Sequence, residues 1–184
     1  MSLVPTTTYD NCPDLDLACV PGGVGIAAVM EDDETLVWLR KVGQQAQYVT
    51  SVCTGSLILA AAGLLQGYKA ACHWASRDSL AMFGVEVVAE RVVVDRNRIT
   101  GGGVTAGIDL AFHIIEALRG RDEAEAVRLI LEYEPQPIGV GGTLETARPD
   151  VVEAVKRAIL AHGGASRSAE IEAIASRRIM FTDR

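Results

Sequence analysis

Three short pieces of this sequence hold residues whose types and order could do chemistry. Cys53 sits in SVCTGSL (residues 51–57). The run before it, Tyr48 to Val52, is β-branched and aromatic and suits a buried strand. The run after it, Gly55 to Leu65, is rich in Leu and Ala and suits a buried helix. A side chain at such a junction tops a tight strand-to-helix turn, the layout of a nucleophile elbow. The free N–H groups and partial positive charge of a helix start favour a thiolate there, so Cys53 is a candidate nucleophile. Cysteine is also a common inert core residue, and that reading stays open on this stretch alone. Pro21-Gly22-Gly23 follows an apolar run, Leu15 to Val20. Its glycines allow a backbone amide to approach a ligand closely, so the N–H groups of Gly23 and Thr54 could bind developing negative charge. His73, in ACHW (71–74) and twenty residues beyond the cysteine, could lie beside the sulfur and hold or orient its charge.

The elements that must position these residues can be read around them. Asp32-Asp33-Glu34 opens a helix to about Gln45, with its acids at the N-terminus. Tyr68 to Cys72 reads as a short strand, and Ala75 to Phe83 as a helix ended by Gly84. Val85–Val88 and Arg91–Asp95 are β-rich, and the Arg96-Asn97 turn sends the chain back through Arg98-Ile99-Thr100 as a hairpin. After Gly101-Gly102-Gly103, Val104 to Leu118 is a nearly all-apolar helix, expected to be buried on most sides. Asp122 to Tyr133 is an amphipathic helix, and Glu134 to Asp150 is irregular and proline-rich. Pro149 starts a helix to about Ala161. Gly163-Gly164 breaks it, and Ser166 is expected to cap a last helix to about Arg178. Strands alternating with helices predict an α/β layered domain with a mainly parallel sheet, whose sites form at the carboxyl ends of strands. The glycine pair, Cys53 and His73 all fall just beyond candidate strands.

The chain has 184 residues, 49% hydrophobic and 22% charged, with a net charge of −7. That bounds it to one globular domain, residues 1–184. There is no cluster of basic residues interleaved with aromatics to bind nucleic acid, and no apolar run of the ~20 residues a membrane span needs. Nothing at the N-terminus reads as a signal peptide. The four cysteines (12, 19, 53, 72) show no CxxC spacing, which suggests free thiols and a cytoplasmic setting. The three histidines are far apart, so neither a metal nor another cofactor is expected.

Taken in order, the three pieces resemble the ThiJ/PfpI superfamily and, within it, the isocyanide hydratases. The resemblance runs from about Leu3 to about Pro137 and is densest in YVTSVCTGSL, AAGLLQG, HWA, ERVVVD, ITGGGVTAGIDLA and LEYEPQP. The helices of 149–178 match in character alone. The resemblance implies a flavodoxin-like, glutamine-amidotransferase-like three-layer sandwich. It implies hydration of an isocyanide to an N-substituted formamide, with Cys53 as nucleophile, Thr54 as its partner, and Gly22 and Gly23 lining an anion pocket. It also implies a homodimer. Isocyanide hydratases carry a carboxylate near the end of their first strand, and that strand has no counterpart here, so the resemblance implies a form truncated at its N-terminus. Thr54 stands where the protease-like branch has a histidine, which argues against peptidase activity. The alternative is a non-catalytic ligand- or redox-sensing domain, related to the sensor half of AraC-type transcription regulators. Those end in a DNA-binding domain for which too few residues follow Pro149.

Overall fold

The computed structural model describes residue 2 and residues 4–182, the side chains of 179–182 excepted. Leu3, where the resemblance begins, lies outside them. The main sheet contains β1 (Leu17–Val20), β2 (Tyr48–Val52), β5 (Val92–Asp95) and β6 (Arg98–Gly101), in the order β1-β2-β6-β5. Pairs β1–β2 and β2–β6 are parallel, and the β5–β6 hairpin is antiparallel. The alternation of side chains along each strand divides the sheet into two faces. Val49 pairs with Ala18 and Arg98, Ser51 with Val20 and Thr100, and all six point the same way.

That face is covered by α1 (Ile26–Glu31), α2 (Asp33–Gln45), α3 (Gly55–Ala61), α4 (Arg77–Ala81) and α8 (Ala165–Thr182). Met30, Leu36, Leu57, Leu59, Leu65, Leu80 and Ile174 form the core between them, each almost wholly buried. Truncating any one of these to Ala would cost about 2–5 kcal/mol, so this layer holds most of the fold's stability. The opposite face carries α5 (Ala106–Arg119), against which α6 (Arg121–Ile130) packs. Helices on both faces of a mainly parallel sheet give the three-layer, flavodoxin-like arrangement expected. No helix among the described residues is long and apolar enough to cross a membrane.

Several details differ from expectation. Helix α3 stops at Ala61 rather than Leu65, because Gly63 turns to φ +76° and redirects the chain. Leu64 and Leu65 still reach the core. Arg40 Nε donates to the Ala62 carbonyl and Arg98 Nε to that of Leu64, which satisfies acceptors the helix end leaves open. The apolar run Ile26–Met30 forms most of α1, a helix without a start signal in the sequence. The segment around Tyr68–Cys72 adds no strand to the main sheet. β3 is Lys69–Ala70 and pairs in parallel with β4 (Glu86–Val87) as a separate ribbon. Helix α5 is not buried on most sides. Ala106, Leu110 and Phe112 face inward, while Ile108 and Leu118 remain exposed, since one side alone meets the sheet. Ser166 lies inside α8 and donates to Glu170; the break before it comes from Gly163 at φ +83°. Helix α7 (Pro149–Ile159) buries no residue.

Candidate active site

The carboxyl ends of three neighbouring strands converge. β1 runs into Pro21-Gly22-Gly23, β2 into Cys53-Thr54, and β6 into Gly101-Gly102-Gly103. Cys53 has φ +62°, a left-handed conformation that costs a non-glycine residue roughly 1–2 kcal/mol. Such strain persists where surroundings impose it. Two contacts do so here. The Cys53 N–H donates to the Gly101 carbonyl at 2.9 Å. Behind it, α3 starts so close to the end of β1 that a β-carbon on Gly55 would overlap the Val20 carbonyl oxygen. The Cys53 side chain is half-buried at this turn.

Thr54 ties the elbow to the glycine pair. Its Oγ1 accepts the Gly23 N–H at 3.1 Å, and lies 3.4 Å from the Gly23 carbonyl, to which it can donate. A β-carbon on Gly22 would come within 2.6 Å of both Thr54 N and Thr54 Oγ1, so a side chain at residue 22 is excluded. The Gly23 N–H therefore holds the threonine hydroxyl in this state rather than standing free for an anion, while the first turn of α3 has no side-chain cap.

His73 is placed by a polar network the sequence reading missed. Ser51 Oγ and Ser56 Oγ are 2.8 Å apart, and Ser56 donates to the Ala71 carbonyl at 2.7 Å. The Ala71 N–H donates to Thr100 Oγ1 at 2.8 Å. All four residues are buried, so both backbone groups of Ala71 are satisfied without a sheet partner. That frees the chain to leave the sheet and present Cys72-His73. The signal in the sequence was a set of hydroxyls (51, 56, 100) inside runs otherwise apolar.

His73 Nδ1 accepts the Ala75 N–H at 3.3 Å, so in the neutral ring the proton sits on Nε2, free to donate. Burial, and secondarily the Arg77 cation, hold the imidazole below its ordinary pKa and favour this neutral form. A β-carbon on Gly103 would be 3.9 Å from the ring's Cδ2, so His73 rests on the same glycine loop whose Gly101 carbonyl binds Cys53 N–H. No hydrogen bond joins His73 to Cys53 among the described residues. Asp14 and Asp16 precede β1 and thus lie at the opposite end of the sheet from Cys53. Among the described residues no carboxylate bonds to Cys53, Thr54 or His73, and no His/Cys/Asp/Glu cluster could hold a metal ion.

Cys72, next to His73, behaves differently from Cys53. Its thiol is pushed up to about 12, by burial first and by the nearby Cys53 charge second. The folded state then keeps a proton that the unfolded chain releases above about pH 9. Stability therefore falls as pH rises from about 9 to about 12, by up to roughly 1.4 kcal/mol per unit from this group. Denaturation of wild type and Cys72→Ala across that range checks it: the variant should show the shallower slope, and parallel slopes would remove the assignment.

A side chain at a strained strand-to-helix turn, on the carboxyl edge of a parallel sheet between helical layers, defines a flavodoxin-like α/β protein with an elbow site. The model of the DJ-1/PfpI family matches residues 1–117, and the chain belongs to that family. It is 54% identical over 159 residues to an isonitrile hydratase of Pseudomonas putida, a match covering 86% of this chain and 70% of that protein. It is 35% identical over 136 residues to the HTH-type transcriptional regulator GbdR of Pseudomonas aeruginosa, covering 73% of this chain but 37% of the regulator. A crystal structure of a ThiJ/PfpI family protein from Pseudomonas syringae superposes with a TM-score of 0.87 at 44% identity, covering 95% of this chain and 71% of that one.

Proposed function

We propose that this protein hydrates an organic isocyanide to an N-substituted formamide, with Cys53 as the nucleophile. The observation that carries the reading is the left-handed Cys53 at the tip of its elbow, in a chain 54% identical to an isonitrile hydratase. The thiolate attacks the terminal isocyanide carbon, and that carbon gains a proton to give a thioimidate, R–N=CH–S–Cys53. Water then adds to the thioimidate carbon, and the tetrahedral adduct expels the sulfur as the formamide forms. Thr54 fixes the backbone around the sulfur, Gly22 and Gly23 shape the wall beside it, and the His73 Nε2–H is the side-chain donor offered from the 71–74 segment.

Incubation with an alkyl isocyanide should yield the matching formamide by NMR; no formamide above the buffer rate refutes the assignment. Iodoacetamide gives a second check. At pH ~6.5 Cys53 should be alkylated faster than Cys19, although Cys19 is the more exposed thiol. Equal rates would mean the elbow does not activate the sulfur.

The match to a transcriptional regulator supports a second reading, in which the same elbow binds a ligand without turnover. Tight binding of an isocyanide or formamide with no product would favour it. A cytoplasmic homodimer of this one domain, 1–184, is the setting proposed for either reading.

A further inference from the structure

Three polar residues in the stretches ERVVVD, ITGGGVTAGIDLA and LEYEPQP have no part in the reaction above: Arg91, Asp109 and Tyr133. The fold brings them together. Arg91 immediately precedes β5 and reaches across to the start of α5. Its Nε donates to Asp109 Oδ2, and its Nη2 to the Thr105 carbonyl at 2.9 Å, with Thr105 Oγ1 at 3.3 Å. The Tyr133 hydroxyl donates to Asp109 Oδ1 at 3.1 Å, so both carboxylate oxygens are engaged. The Tyr133 ring packs against Phe112, one turn beyond Asp109 on α5, with centroids 5.1 Å apart.

Beside this cluster runs the loop Gly101-Gly102-Gly103. Consecutive glycines have no side chains to pack, and glycine loses more freedom on ordering than any other residue. Arg91 holds the loop at two points. Its carbonyl accepts the Gly102 N–H at 2.9 Å, and its guanidinium fixes Thr105, the N-cap of α5, two residues after Gly103. The same loop meets the elbow in two places: the Gly101 carbonyl accepts the Cys53 N–H, and Gly103 lies against the His73 ring. The Arg91 and Asp109 side chains are 54% and 26% exposed, and an ion pair so exposed adds little to stability. Its bonds set a geometry more than they strengthen the fold.

We infer that Arg91 is a positioning residue of the Cys53 site: it clamps the three-glycine loop between its own carbonyl and its guanidinium, which Asp109 and Tyr133 hold in place. The clamp keeps the Gly101 carbonyl where it fixes Cys53 in the left-handed turn, and keeps Gly103 behind the His73 ring. Arg91 acts through these glycines rather than on the reacting atoms. The kinetic consequence rests on the function proposed above, whereas the set of the elbow can be measured without turnover.

Amide hydrogen exchange by NMR and steady-state kinetics test the two consequences separately. In Arg91→Met the Cys53 N–H should exchange about tenfold or more faster than in wild type. The Val49 N–H, bonded to the Asn97 carbonyl near the start of β2, should keep its rate. The kcat for formamide formation should fall about ten- to a hundredfold with KM within about twofold, because the reacting groups shift while the pocket wall does not. Arg91→Lys should restore part of both, since a single ammonium cannot serve Asp109 and Thr105 together as a guanidinium does. Tyr133→Phe should show a smaller effect of the same kind, and each variant should keep a denaturation midpoint near wild type. If Arg91→Met does not fold, Arg91→Lys and Tyr133→Phe carry the same comparison. Unchanged exchange at Cys53, equal acceleration at Cys53 and Val49, or a raised KM at unchanged kcat overturns the inference. If the wild type makes no formamide, the reaction falls and exchange at Cys53 alone decides the clamp. Turnover by the wild type, with exchange and kcat unmoved by Arg91→Met, would leave the reaction standing and the clamp refuted.

Discussion

Cys53→Ser should lower formamide formation by about four orders of magnitude or more while leaving the fold intact. Serine keeps the shape of the side chain, so Thr54, Gly23 and Gly101 retain their bonds to the turn. What is lost is the sulfur that forms the covalent intermediate, and removal of a covalent nucleophile typically costs about 10⁴-fold or more. Cys53→Gly adds a second readout. Glycine adopts φ +62° without a β-carbon penalty, so the variant should give back up to roughly 1 kcal/mol of strain against whatever side-chain packing it loses. A variant at least as stable as wild type and wholly inactive would show that the strained backbone is kept for the chemistry. Turnover within tenfold of wild type in Cys53→Ser would end the nucleophile assignment.

The fold was legible wherever a sequence period and a turn signal agreed. The runs ending in Pro21-Gly22-Gly23 and at Cys53 became β1 and β2, and the Arg96-Asn97 turn joined β5 to β6. The misses follow from tertiary context. Helix α5 is nearly all apolar, and its composition could not say that one side alone would meet the sheet. The 68–72 segment is a strand at Lys69–Ala70 alone, paired with β4, because the next residue, Ala71, gives its backbone groups to the Ser56 and Thr100 side chains. Cys53 could be singled out because a strand run and a helix run meet there, whereas the roles of Thr54 as its partner and of Gly22 and Gly23 as the anion-pocket lining came from the family resemblance.

Gly55→Ala should be the most damaging single-methyl change in the chain. Helix propensity predicts the opposite, because alanine inside a helix is favoured over glycine by about 1 kcal/mol. The geometry overrules propensity. The added β-carbon would overlap the Val20 carbonyl oxygen and come within 2.9 Å of Val20 C and 3.0 Å of Pro21 C. All three are backbone atoms at the end of β1, held by the β1–β2 ladder, and cannot swing aside as a side chain could. To admit the methyl, α3 must lift from the sheet, which would unpack Leu57 and Leu59 from the core and detach Thr54 from Gly23. A loss of roughly 3–5 kcal/mol is expected, enough to unfold many domains of this size. Gly25→Ala, where nothing lies within 4 Å, and Gly63→Ala, where φ is +76° but space is open, are the controls. Chemical denaturation should rank the losses Gly55 far above Gly63, and Gly63 above Gly25. A Gly55→Ala protein as stable as wild type would mean that β1 and α3 do not meet this closely, and the elbow that sets Cys53 would lose its physical basis.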